Sequence, residues 1–135
     1  MKRLLWCLEA TLALVLAFFP LQAHAEDETL HFVDSRGATG YYVDTSTITV
    51  DSDHEYTADV IIIRADENLM FVYRTHFDYM THTYQILTAK IMTYDTREIK
   101  ASSDTPLDPA TYAATSPMQA IVDFIYAWQK GLIKE

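Results

Sequence analysis

His76, Asp78 and His82 are the residues whose types and spacing come nearest to a chemical site in this chain. Two apart on an extended segment, His76 and Asp78 project from one face of a strand. His82 opens the next strand, just across a turn at Met80-Thr81. Two imidazoles and a carboxylate meeting there would make a weak Zn²⁺ site or hold one end of a haem. No HExxH or comparable ligand spacing accompanies them, and a solvated polar face beside a hairpin is the plainer reading. His31 and His54 stand alone and read as ordinary surface residues.

Other chemistry is weaker. Asp51/Asp53 and Asp66/Glu67 fall in turn-like stretches, where Asp is favoured because it bonds its own backbone. A catalytic dyad needs a cleft and a raised pKa, and Asp51-Ser52-Asp53 lacks the rest of an EF-hand loop. Ser102, His76 and Asp78 can be written down as a triad, but nothing activates a particular serine. With only Gly37, Gly40 and Gly131 as glycines, no phosphate-cradling loop, dinucleotide fingerprint or nucleophile elbow is present. The chain reads as non-enzymatic and without a resident cofactor, with haem or a divalent metal at the histidines as the alternative.

The aromatic residues are the better functional clue. Tyr41, Tyr42, Tyr73, Phe77, Tyr79, Tyr84 and Tyr94 lie on expected strands, and most should fill a core. Any left exposed would form a patch suited to a protein partner or to pairing of two chains. Tyr41, Tyr84 and Tyr94 are the candidates for that patch.

These residues belong to a chain that reads as exported. Lys2 and Arg3 precede an apolar run over residues 12–19, Pro20 breaks it, and Ala23-His24-Ala25 offers a small-x-small cleavage site. This is the layout of a signal peptide. The largely apolar stretch, residues 10–21, falls short of the roughly 20 residues that span a bilayer. Cleavage after Ala25 would leave one domain, residues 26–135, and remove Cys7, the only cysteine. That domain would have no disulfide, thiol nucleophile or Cys-ligated metal.

Charge narrows the partners. Ten basic and nineteen acidic residues give −9, and loss of Lys2, Arg3 and Glu9 leaves eight against eighteen, or −10. Such a domain is poorly suited to nucleic acid or anionic membrane. A basic partner or weak cation binding remains compatible.

The elements read as a sheet followed by a helix. Residues 30–34, 39–44 and 47–50 form short strands, with turns at Ser35-Arg36-Gly37 and Thr45-Ser46. Residues 54–65 place Tyr56, Ala58, Val60 and Ile62 on one face, with Ile61 and Ile63 covered on the other. Residues 69–79, 82–94 and 97–102 follow after tight turns, which makes successive strands antiparallel neighbours. Residues 103–114 carry Pro106 and Pro109 and read as a loop over the sheet. Ser116-Pro117-Met118-Gln119 starts a helix over 117–130, with Ser116 as cap and Gln119 completing a capping box. Met118, Ile121, Val122, Ile125 and Trp128 form its apolar stripe, and Gly131 stops it. The fold class is α+β: an antiparallel meander of about six strands with one C-terminal amphipathic helix on one face.

With that layout, the chain resembles the surface-adhesin protein E family of bacterial secreted and outer-surface proteins, from about Phe32 to Trp128. Tyr42-Val43-Asp44 followed by Thr47-Ile48 is similar to the family's Y-x-D-x-x-S-I strand pair, with Thr47 in place of the serine. Tyr84 to Leu87, Tyr94-Asp95, Ile99 to Ser102 and Ser116-Pro117 match its later strands and its closing helix. The resemblance implies a six-stranded sheet with a helix on its concave face. It also implies adhesion to host matrix or plasma proteins, and the family's best-known member can bind haem. The family commonly ties helix to sheet with a disulfide. Tyr79 falls near the expected first cysteine and residues 126–128 near the second, so aromatic packing is expected to replace that bond. The function expected is recognition of a protein partner, at the envelope or outside it, through an exposed sheet face or edge, with homodimerisation as a further possibility.

Overall fold

The computed structural model describes residues 28–133; the expected signal segment, with Cys7, lies outside them. The elements are β1 (Leu30–Arg36), β2 (Thr39–Val50), β3 (Glu55–Arg64), a 3₁₀ turn (Ala65–Glu67), β4 (Leu69–Asp78), β5 (Thr83–Thr93), β6 (Ile99–Ser103), β7 (Ala110–Thr111) and α1 (Pro117–Gln129). The sheet order is β1-β2-β3-β4-β5-β6, every pair antiparallel, with β7 paired to β5. This is the expected meander with its closing helix. No helix among the described residues is long and apolar enough to cross a membrane.

The turn expected at Thr45-Ser46 is absent, and β2 runs through it. Asp44 explains this. Its Oδ1 accepts from Ser46 N at 3.1 Å and Ser46 Oγ at 2.6 Å, and its carbonyl accepts from Thr47 Oγ1 at 2.7 Å. The local bonds absorb an irregularity in pairing between Asp44 and Thr49 without reversing the chain. Asp59 N then donates to Thr47 Oγ1 at 2.8 Å, so a side chain stands in for a ladder bond.

The loop after β6 is also more ordered than expected. Leu107 N donates to Ile86 O at 2.9 Å, and Gln85 Nε2 donates to Leu107 O at 3.0 Å. Together with β7, these bonds cover the part of the β5 edge that β6 leaves open. An uncovered edge would be a template for aggregation.

Helix α1 starts as expected, with Ser116 Oγ accepting from Gln119 N at 3.3 Å and Pro117 in the first turn. The second half of the capping box is missing, because Gln119 Nε2 donates to Asp123 Oδ1 at 2.8 Å instead. At the other end Gly131, at φ +73°, donates to Trp128 O, and Leu132 N reaches Ala127 O at 2.9 Å. This Schellman pairing needs a left-handed residue, which glycine supplies without a Cβ clash.

The helix lies over β1 and β2. Ile121, Val122 and Ile125 are buried against Val43, Tyr56, Ala58, Val60 and Phe77, with Tyr112 at the margin. Burial of each aliphatic side chain is worth roughly 1.5–3 kcal/mol, so three of them dominate the docking of α1. His31 is not a surface residue: its ring packs 4.7 Å from Trp128 and 5.9 Å from Phe124, between β1 and the helix.

Candidate functional site

Helix α1 covers one side of the sheet only. On the other side, pairing register lines up alternate residues in rows across β2 to β5. The first row is Gly40, Ile63, Met70 and Met92. Tyr42, Ile61, Val72 and Lys90 form the next, and Leu30, Asp44, Asp59, Arg74 and Thr88 the third. Thr57, His76 and Gln85, then Glu55, Asp78 and Thr83, complete the face. It passes from apolar to charged to polar along the strands.

The apolar end forms a second, smaller core. Ile61, Ile63 and Met70 are buried there, with Leu30, Tyr42, Val72 and Met92 packed around them. Ile61 and Ile63 are thus covered on this side, as their run of apolar neighbours implies, but by side chains and not by another layer. Gly40 has a specific use here. A Cβ at this position would lie 2.9 Å from Tyr42 Cε2, so its absence lets the Tyr42 ring lie along the strand. Phe32 packs edge-on against that ring at 5.6 Å and is 58% exposed. Tyr94 lies close by with the Arg97 guanidinium 5.1 Å above its ring. Leu30, Tyr42, Ile63, Tyr94 and Arg97 line a pocket of about 160 Å³.

Next to it is a cavity of about 250 Å³ lined by Leu30, Asp44, Asp59, Ile61, Met70, Val72, Met92 and Arg97. Its floor is apolar and one wall is acidic. Arg74 reaches Asp59 Oδ1 only at 3.5 Å, and donates to Thr47 O at 3.0 Å.

The polar end holds His76 and Asp78, two of the three residues expected to do chemistry. His76 sits between two carboxylates, Nδ1 at 3.2 Å from Asp51 Oδ2 and Nε2 at 3.3 Å from Glu55 Oε1. Thr57 Oγ1 also donates to Asp51 Oδ2, at 2.6 Å. Asp78 shares this face with His76, as spacing implies, and both line a groove of about 160 Å³. Its carboxylate pairs with His54 Nδ1 at 3.1 Å, so His54 is not an isolated residue either. Burial pushes the Asp78 carboxyl up, but the Thr81 N–H, His54 and the Met80 N–H outweigh it and hold it below the usual range.

The expected grouping of His76, Asp78 and His82 does not form. His82 takes φ +56°, which turns it out of the strand, and its ring meets Tyr112 edge-on at 5.7 Å at the margin of the helix-side core. Strand β5 accordingly begins at Thr83. Among the described residues, no three His, Cys, Asp or Glu side chains are grouped so as to hold a metal ion.

The three tyrosines divide between faces. Tyr41 and Tyr84 lie on the helix side, half-buried around a cavity of about 230 Å³ with Tyr73, Met118 and Ile121. Tyr94 alone is on the open side, 38% exposed. Tyr42 is among the aromatic residues that the sequence offers but not among the three candidates for an exposed patch, and no role for Phe32, Arg97 or the Asp44-Asp59-Arg74 row is read from the sequence. Their signal is the alternation in residues 55–64, which sets Thr57 and Asp59 opposite Tyr56 and Ala58. Joining those positions to β2 and β4 requires the register. Comparisons with protein-family models, with curated proteins and with solved structures return no match to this chain.

Proposed function

We propose that the chain is an exported, non-enzymatic binding protein, similar in role to the surface-adhesin protein E family. Its helix-free sheet face recognises a protein partner at the envelope or outside the cell. The observation that carries this reading is the cluster of Phe32, Tyr42, Tyr94 and Arg97. Phe32 is 58% exposed and meets Tyr42 edge-on, beside a tyrosine that carries an arginine over its ring. Aromatic residues and arginine are the types enriched where protein interfaces concentrate their affinity. Helix docking uses the opposite face, so this cluster is not needed to hold α1.

The test compares immobilised protein with two variants in capture from envelope extract and from host matrix and plasma proteins. Phe32→Ser with Tyr94→Ser should abolish capture of a partner that the parent retains. Met80→Ser, at an exposed residue beside the β4–β5 turn, should leave it unchanged. Equal capture by all three proteins removes the face from consideration. Light scattering on the same samples reads whether the partner is a second copy of the chain.

A further inference from the structure

We infer that the hollow on the helix side of the sheet binds a small, uncharged aromatic compound that carries a hydrogen-bonding group. It lies across the sheet from the proposed partner face and does not rest on that reading. Its shape follows from the seat of the helix. Helix α1 packs closest to β1 and β2, off the centre of the sheet. The same sheet face continues onto β3, β4 and β5, where Tyr41 faces Ile62, Val60 faces Tyr73 and Thr75 faces Ile86. Between the offset helix and these strands a space of about 230 Å³ remains, flanked on the helix by Met118 and Ile121.

Packing alone does not account for the tyrosines here. Tyr41, Tyr73 and Tyr84 line the hollow from three strands, each half-buried. Their hydroxyls make no hydrogen bond among the described residues, and none is fully shut off from solvent. Phenylalanine would pack as well, whereas a tyrosine hydroxyl can both donate and accept. Thr75 is different: it is fully buried, and its Oγ1 donates to Tyr73 O at 3.0 Å within its own strand. Burial pushes the Tyr73 pKa up, which keeps its hydroxyl protonated at and above neutral pH. An apolar wall with a few polar groups reaching into it is the usual make-up of a small-molecule site.

Size, charge and wall chemistry select the ligand class. An apolar cavity of about 150 Å³ takes up benzene, so this larger one has room for a second fused ring. Its other walls are Val60, Ile62, Ile86, Met118 and Ile121, and no charged side chain lines it among the described residues. A carboxylate or phosphate head, as on a fatty acid, would lose its hydration there without meeting a cation. An ammonium would find no carboxylate. Three tyrosine rings and the Met118 sulfur favour a ring over an aliphatic chain, through edge-on or offset ring pairs and sulfur–aromatic contacts.

The experiment titrates indole into the purified protein and follows the methyl NMR signals of Ile86, Met118 and Ile121, with Ile63 and Met92 on the opposite face as internal controls. Saturable shifts are expected at the first three and not at the controls. Indole-3-carboxylate, the same ring with a charge, should bind roughly tenfold or more weakly. The triple variant Tyr41→Phe, Tyr73→Phe and Tyr84→Phe keeps the rings and should weaken indole binding roughly threefold or more. Ile86→Trp, at a half-buried position, should fill the hollow and remove the saturable shift at Met118. Equal shifts at Ile63 and Met92 would overturn the inference. So would equal affinity for the carboxylate, undiminished affinity in the triple variant, or no saturable shift with the protein folded. None of these outcomes touches capture through Phe32 and Tyr94, so failure here leaves the partner reading in place.

Discussion

The rings of Tyr79 and Tyr126 stack at 4.3 Å between centroids with an interplanar angle of 15°, joining the end of β4 to helix α1. Tyr56 meets Tyr126 edge-on at 6.3 Å, and Lys130 Nζ lies 5.5 Å from the same ring. The protein E resemblance puts a helix-to-sheet disulfide near these positions, and an aromatic cluster occupies the place. Stacking of this kind is worth about 0.5–1.5 kcal/mol beyond area burial, against roughly 2–4 kcal/mol for a typical disulfide. The stack aligns the seam, and the apolar stripe of α1 must supply most of its strength.

A double-mutant cycle on Tyr79→Ala and Tyr126→Ala should give a coupling energy of about 1 kcal/mol by urea unfolding. Additive losses would show that the rings are neighbours without mutual stabilisation.

Ile125 is fully buried, and Ile121 is 1% exposed. Ile125→Ala should cost about 2–5 kcal/mol by transfer and cavity terms. Ile121→Asp or Ile125→Asp should abolish the cooperative thermal transition, because an unpaired carboxylate would be buried under the helix. Full retention of the parent transition would refute the packing of α1 on this face.

The Asp78 carboxyl titrates below its usual value, so its contribution to stability is present above the unfolded pKa of about 3.9 and is lost as pH falls through the folded value. Asp78→Ala should therefore destabilise the protein at pH 7 by about 1 kcal/mol, the net worth of its bonds to His54, Met80 and Thr81. That gap should close as pH drops below about 4. A difference in urea midpoint that does not shrink as pH falls below about 4 would assign the effect to packing.

Tyr112 is 9% exposed, and its buried hydroxyl has no partner among the described residues. Burial also pushes its pKa up, followed by the influence of Asp123, Tyr79 and Asp78. An unsatisfied buried hydroxyl is a cost, so Tyr112→Phe should hold or raise the melting temperature. A clear fall would reveal a bound water at that hydroxyl.

Gly40→Ala should move the Tyr42 ring off the strand, since the new Cβ would meet it at 2.9 Å. Stability should change little, because the obstacle is the far end of a side chain and alanine suits a strand better than glycine. Partner capture should weaken in step with Phe32→Ser. Intact capture with a displaced ring, seen by NMR, would take Tyr42 out of the interface.

Much of the fold was legible because it rests on local chemistry. Alternation in residues 55–64, tight turns between β3, β4 and β5, and Ser116-Pro117 before a 3.6-residue apolar stripe each act over a few residues. Thr45-Ser46 was misread because Asp44 can bond its neighbours either in a turn or along a bulged strand, and pairing with β3 decides between them. His82 was assigned to a strand on pattern alone, yet the hairpin geometry gives it a positive φ and points it at Tyr112. His31 and His54 looked isolated because their partners, Trp128 and Asp78, are 97 and 24 residues away.

By itself the sequence determined the meander, the closing helix, the acidic charge and the apolar stripe, since each follows from the periodicity or composition of short segments. Only the tertiary structure decided which tyrosines stay exposed, that His82 leaves His76, and that Asp44 faces Asp59 above an apolar floor. Those relations depend on strand register, and a one-residue slip sends each side chain to the opposite face. Register is set by the packing of all the strands and the helix together, and no single segment encodes it.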